Sequence, residues 1–181
     1  MNGWKRFFGH LRTVSRHRRQ VRINCFKAGI VLQGLTHDLS KFSPAEFLAG
    51  VRFFDGTHSP TEDERRTLGY SAAWMHHKGR NRHHWEYWTD YSMAAGGYVP
   101  MPMPRRYLAE TICDRIAASK IYKGAAYTDG SPLEYLQRGK MRDNMHPQTL
   151  EELTRFLTML RDEGEAAMFA SLRAWIREDN T

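Results

Sequence analysis

Three times the chain spells the same helix start. Ser43-Pro44-Ala45-Glu46, Ser59-Pro60-Thr61-Glu62 and Ser131-Pro132-Leu133-Glu134 each offer a Ser at the N-cap, Pro at the first helical position and Glu at the third. The Ser oxygen can accept a free backbone N–H of the first turn, and the Glu can reach back to the cap's own N–H. Glu46, Glu62 and Glu134 thereby receive structural roles first. Between these starts, apolar residues recur at helical spacing, and no segment reads as a strand. The expectation is an all-α fold, a single compact helical domain over residues 1–181.

The first helix is expected over 3–28, with Trp4, Phe7, Phe8, Leu11 and Val14 and then Val21, Cys25 and Ala28 along one stripe. Gly29 and Gly34 interrupt the pattern on either side of a short segment. A helix follows from Pro44 to Phe54, then one from Pro60 to about Lys78 that stops at Gly79. MAAGGYVPMPMP, residues 93–104, reads as a loop by its Gly and Pro content. The next helix covers Arg105–Tyr122, a short one 132–138, and two closing helices, 147–162 and 165–178, flank Gly164.

Charge is spread unevenly over a chain of net charge +7. Lys5, Arg6, Arg12, Arg16, Arg18, Arg19, Arg22 and Lys27 all precede the first acid, Asp38. Such a basic front suits an anionic partner: a nucleotide, a nucleic acid or a lipid surface. A solvated helix face explains the same arginines equally well. No run reaches the roughly 18 apolar residues of a membrane span, and the basic N-terminus lacks the apolar region of a secretory signal. Cys25 and Cys113 form no CxxC pattern, which suits free thiols in a reducing cytoplasm.

Four of the nine histidines fall in HHKGRNRHHWEYW, residues 76–88. His76 and His77 are about 100° apart on a helix, so one of them faces any common site; His77, nearer the following glycine turn, is preferred. Asn81 and Glu86 are placed to orient a ligating imidazole through its second N–H, together with whichever histidines do not ligate. A second anchor is His37-Asp38, whose imidazole gives one ligand and whose carboxylate has two oxygens with which to bridge two cations. Asp114 lies beside an apolar stripe, where a carboxylate normally has a partner.

His37-Asp38 with Leu39, Ser40 and Lys41 resembles the central motif of the HD superfamily of metal-dependent phosphohydrolases. In that family an upstream helix supplies a His, the His-Asp pair follows, and a later helix supplies an Asp; members with two metals add two His in between. The resemblance, in order from residue 17 to residue 114, implies His17, His37, Asp38, His77, His84 and Asp114 as metal ligands, with His76 and His83 as supporting neighbours, on an HD-like helical scaffold. HDLSKFSP, HHKGRNRHHWEYW and CDRIAASK also resemble a small bacterial and phage family of uncharacterised proteins.

Geometry sets a condition on this ligand set. Along one straight helix His17 and His37 would stand about 30 Å apart, so the chain must fold back at the glycines. With the turn at Gly29, His17 lies about 18 Å before it and His37 about 12 Å after it, and the two meet only roughly.

Imidazole and carboxylate donors without thiolate suit iron, manganese, zinc, cobalt or nickel, and magnesium at a partly filled site. Two ions bridged by Asp38 would stand about 3.5–4 Å apart and activate a water against a phosphoester. Asp38 and Lys41 are then the catalytic pair, and Lys41, Lys78, Arg80 and Arg82 the groups that meet the phosphate of a nucleotide or other small phosphoester. Trp85, Tyr87, Trp88 and Tyr91 suit a stacking wall for a base, or core and dimer contacts. Two other readings share the residues: a non-catalytic module binding nucleic acid or an anionic surface through the basic helix, and a diiron-type redox enzyme.

Overall fold

In the computed structural model, which describes residues 2–178 apart from the side chains of 140 and 141, the first helix, α1 (Gly3–Ala28), begins where the Asn2 side chain accepts from Lys5 N at 2.9 Å. Residues 1 and 179–181 of the expected span lie outside the described residues. α1 ends at Gly29, whose φ of 80° is the left-handed cap that favours glycine. The chain then reverses into α2 (Val31–Thr36), packed on α1.

Gly34 does not break the pattern as expected. It is helical, and a Cβ there would stand 2.6 Å from Cys25 Cβ, so its role is the close approach of α2 to α1. A turn of 3₁₀ helix, Leu39–Phe42, leads to α3 (Pro44–Arg52).

The expected helix from Pro60 to Lys78 is two helices, α4 (Pro60–Leu68) and α5 (Ala72–Lys78). Gly69, at φ 82°, stops the first. Ser71 then caps the second by accepting from Trp74 N at 2.9 Å, and the buried Glu64 accepts from Ser71 Oγ at 2.5 Å. The reading without strands also needs correction. Thr89–Ser92 (β1) and Gly97–Pro100 (β2) form an antiparallel hairpin in register from Thr89↔Pro100 to Ser92↔Gly97. Four-residue strands are too short to show a period-two pattern, and the Tyr91–Tyr98 ring contact that joins them is across the pair.

α6 (Arg105–Lys123), α7 (Ser131–Arg138) and α8 (Pro147–Arg177) complete eight α-helices among the described residues. Within α8, Gly164 at φ 82° and ψ 173° is not helical, so two helices meet there at a kink, where the sequence separates them. The fold is all-α apart from the hairpin.

The three Ser-Pro starts are real, but the reciprocal caps are not. Ser43 and Ser59 stand at N-caps without a side-chain cap bond, and Ser131 is itself the first helical residue. The glutamates go elsewhere: Glu62 to Arg66, Glu134 to Lys123 and Glu46 to two histidines.

One apolar cluster joins α1, α6, α7 and α8. Val21, Cys25 and Ala28 meet Leu108, Ile112 and Ile116, which meet Leu153, Phe156, Leu157, Leu160 and Leu172. Each fully buried Val, Leu, Ile or Phe among them contributes about 1.5–3 kcal/mol on burial. α6 is thus held rigidly on one face, and its other face carries Glu110 and Asp114, four residues apart and so on one side.

Candidate metal centre

Buried positions on α1 recur as His10, Val14, His17 and Val21, which turns His17 toward α6. After α2 the backbone leaves the helix at His37 and enters Asp38 at φ 53°, the one non-glycine residue with positive φ among the described residues. A left-handed aspartate costs energy, and Arg18 holds the turn by donating to the carbonyls of His37 at 2.8 Å and Leu35 at 3.2 Å. The outcome brings the His17 and His37 rings to a centroid distance of 5.7 Å. The reversal at Gly29 therefore does close the gap left by the rise arithmetic.

The Asp38 carboxylate, 1% exposed, is the centre of the arrangement. Its Oδ2 lies 3.2 Å from His37 Nε2, 3.7 Å from His17 Nε2 and 2.6 Å from Lys41 Nζ. Its Oδ1 faces the other way, 3.3 Å from His77 Nε2 and 3.5 Å from His83 Nε2. Asp114 Oδ1 is 3.0 Å from His17 Nε2 and 3.6 Å from His37 Nε2. Two groups result, His17 with His37 and Asp114, and Asp38 with His77, His83 and His84, the ligand atoms in each lying within 4.8 Å of one another.

These short approaches are not aligned as hydrogen bonds. Nε2 of His17, His37, His83 and His84 and Oδ1 of Asp38 are buried without a hydrogen-bond partner. The opposite ring nitrogens are well held. His37 Nδ1 and His83 Nδ1 lie 2.8 and 3.1 Å from Glu110 Oε1, and His77 Nδ1 lies 2.7 Å from Glu46 Oε2. A carboxylate at Nδ1 fixes the proton there and leaves the Nε2 lone pair aimed inward, the pattern that supports metal-bound histidine. An unpaired buried polar atom costs about 1–3 kcal/mol, so several converging ones fit a cation that would complete them.

Charges in the cluster balance without an ion by holding protons. Burial alone would lower the His37 pKa, but Asp38, Asp114 and Glu110 outweigh it and raise it well above the ordinary value. Burial would raise Asp38, and His37 and Lys41 hold it well below the usual carboxylate range. Asp114 is likewise depressed against its burial, by His17 and His37. His84 differs: burial, with His83 and His77 adding, pushes it well down, so its ring stays neutral.

Residues 6–159 match the family model described as a family of unknown function (DUF5662). The chain belongs to DUF5662. The matched span contains every residue of both groups and both supporting glutamates. No curated protein and no solved structure matches.

Within this DUF5662 chain the structure brings His17, His37, Asp38, His77, His84 and Asp114 together. It also brings in His83, which the sequence placed as a supporting neighbour; its Nε2 faces Asp38 while Nδ1 rests on Glu110. His76 stays outside the groups, its Nδ1 2.7 Å from Glu46 Oε1. Asn81 does support His77: its Nδ2 donates to Ser40 Oγ and to the His77 carbonyl at 2.8 Å each, and lies 3.1 Å from His77 Nδ1. Among the described residues the Glu86 side chain makes no hydrogen bond to a histidine; burial raises its pKa, offset in part by its own backbone N–H and by Lys78 and Arg115.

Of the expected phosphate-binding cations, Lys41 alone contacts the cluster. Lys78 sits in the field of Glu86, Arg80 donates to the His76 carbonyl, and Arg82 donates to the Tyr107 phenol while stacking on Tyr87. The proposed aromatic wall is also elsewhere. Trp85 and Trp88 pack on the apolar core and Tyr91 pairs with Tyr98. On the basic front, Arg6, Arg18 and Lys27 are engaged with Arg52 O, the His37 turn and Glu165, while Lys5, Arg12, Arg16, Arg19 and Arg22 are exposed.

The sequence reading missed Glu46 and Glu110. Glu110 had a usable signal, since it precedes Asp114 by one helical turn on the same face. Glu46 had none, because its helix-start position supplied a sufficient local role.

Proposed function

We propose that this chain is a metal-dependent phosphohydrolase of the HD type, acting on a small phosphoester with two divalent transition-metal ions. The observation that carries the reading is the convergence of the unpartnered Nε2 atoms of His17, His37 and His83 on the two oxygens of the buried Asp38. His17, His37, Asp114 and Asp38 Oδ2 would hold one ion; Asp38 Oδ1, His77, His83 and His84 would hold the other. Donors of imidazole and carboxylate without thiolate suit iron, manganese, zinc, cobalt or nickel. When bound, such ions lower the pKa of a coordinated water and polarise a phosphoryl oxygen.

The chain's own groups do the rest. Glu110 and Glu46 keep the Nδ1 protons in place, so the lone pairs stay aimed at the centre. His37, Asp38, His77 and His83 are almost fully buried and exclude bulk water from the inner side. Lys41 and Asp114, with side chains 32% and 19% exposed, mark the open side. There Lys41 can neutralise a non-bridging phosphoryl oxygen; burial would lower its pKa, and Asp38 and Asp114 raise it, so it is cationic at neutral pH. No helix among the described residues is long and apolar enough to cross a membrane. Cys25 and Cys113 are free and buried, which fits a cytoplasmic enzyme.

The test is to purify the protein without chelator, measure its metal, and assay a phosphoester panel. Metal together with hydrolysis that Asp38→Asn abolishes supports the reading, and full activity in Asp38→Asn sinks it. Oxygen consumption by the iron-loaded protein without hydrolysis would assign the same ligands to oxidative chemistry.

A further inference from the structure

Beyond the cluster, the groove between α1 and α6 opens into a cavity of about 320 Å³ lined by Thr13, Arg16, Gly56, Thr57, Ile121 and Tyr122. Its place follows from helical register. Thr13 lies one turn before His17 on α1, and Ile121 and Tyr122 lie two turns after Asp114 on α6. At 1.5 Å per residue these offsets are about 6 Å and about 10–12 Å. His17 and Asp114 meet at 3.0 Å, so the helices pass each other in opposite directions and the cavity is the next compartment along the same groove. Tyr122 is within electrostatic reach of Lys41 and Asp114, the two residues on the open side of the cluster.

The lining has a distinct chemistry. It offers one guanidinium, two hydroxyls and a phenol; no carboxylate lines it directly, and the Thr57 hydroxyl donates to Asp55 Oδ2 at 2.6 Å behind it. Arg16 is exposed and makes no hydrogen bond or ion pair among the described residues. One aromatic ring cannot sandwich a base, and no amide side chain is present to read a base edge. The volume is at the small end of the roughly 300–1,000 Å³ of ligand pockets. The tryptophans suited to stacking a base are committed to the core.

We propose that this cavity is the recognition subsite for the non-reacting end of the substrate, and that the substrate is a small hydroxylated phosphomonoester bearing a second anionic group, of the sugar-bisphosphate or phosphosugar-acid class, not a nucleotide. Arg16 takes the second anion, Thr13 and Tyr122 take hydroxyls, and Thr57, whose own hydroxyl donates to Asp55, can only accept from one. The inference rests on the phosphohydrolase reading for the position of the reacting phosphate.

Calorimetry on the metal-loaded protein tests it with three probes: a hexose bisphosphate, a nucleoside monophosphate and inorganic phosphate. The hexose bisphosphate is expected to bind the most tightly. Arg16→Gln is expected to weaken it about ten- to a hundredfold, the worth of a lost charge-assisted bond, and Tyr122→Phe to weaken it less, with inorganic phosphate little changed. Equal weakening of bisphosphate and inorganic phosphate by Arg16→Gln overturns the proposal, as does a nucleoside monophosphate that binds as tightly as the bisphosphate. Binding and turnover are separate readouts. A protein that binds in the expected pattern yet hydrolyses no phosphoester therefore upholds the subsite and overturns the phosphohydrolase reading.

Discussion

On one side of α6, Leu108, Ile112 and Ile116 meet the leucines of α8 and are completely or almost completely buried. On the other side, Glu110 and Asp114 meet His17, His37 and His83. The same helix thus faces two interiors of opposite character. The apolar one is complete in itself, since its side chains need only one another. The polar one is not: its outer carboxylates satisfy the outward ring nitrogens, while the inward nitrogens of His17, His37, His83 and His84 are buried without an aligned hydrogen-bond partner. Burying such groups is unfavourable unless a partner is supplied, and a cation is the partner that accepts several lone pairs at once.

Four substitutions or conditions would break or sharpen that contrast. The largest effect is expected for Asp38→Asn, which removes the charge that both groups share. Hydrolysis should fall about a thousandfold, the several kcal/mol that metal catalysis contributes, and metal content should fall with it, while the fold measured by circular dichroism persists. Leu157→Ala, in the apolar interior, should do the reverse. Leu157 is fully buried, and its truncation should cost about 2–5 kcal/mol in urea unfolding while the metal bound per folded molecule stays the same. A loss of metal affinity in Leu157→Ala as large as in Asp38→Asn would show that the two interiors are not separate.

A third effect is expected from His10, which lies outside both metal groups, its ring against those of Phe47 and Phe54. Burial first, and then Lys41, lowers its pKa to about 4. A depressed histidine contributes stability that is complete above its unfolded pKa of about 6.5, declines as pH falls, and is lost on passing about 4; the size is about 3 kcal/mol. Urea unfolding of wild type and His10→Gln at neutral pH and near pH 4 isolates this part, and an equal pH dependence in both would remove His10 from the account. The smallest effect is expected for Glu110→Gln. It keeps the shape but loses the charge that fixes two Nδ1 protons, so metal affinity should fall about 10- to 100-fold by competition with a chromophoric chelator.

The contrast also explains what could be read from the sequence. Leu153, Leu157, Leu160 and Leu172 repeat at helical spacing, and His37-Asp38 is a local pair, so both were visible. Gly69 and Ser71 carried the missed break between α4 and α5, hidden by a periodic stretch on either side. The pairing of Glu46 with His77, and of Glu110 with His37 and His83, is long-range. Spacing within one helix says nothing about it. The inclusion of both His83 and His84 has the same origin: they leave helical geometry in the turn after α5, so the rule that neighbours on a helix diverge does not apply to them.

The most direct measurement is anomalous X-ray diffraction from crystals grown with manganese or iron. Two peaks are expected about 3.5–4 Å apart, with the Asp38 carboxylate between them, one beside His17, His37 and Asp114 and the other beside His77, His83 and His84. No peak at Asp38 under saturating metal, with the inward Nε2 atoms hydrogen-bonded to water instead, would contradict the claim that this interior is built to hold ions.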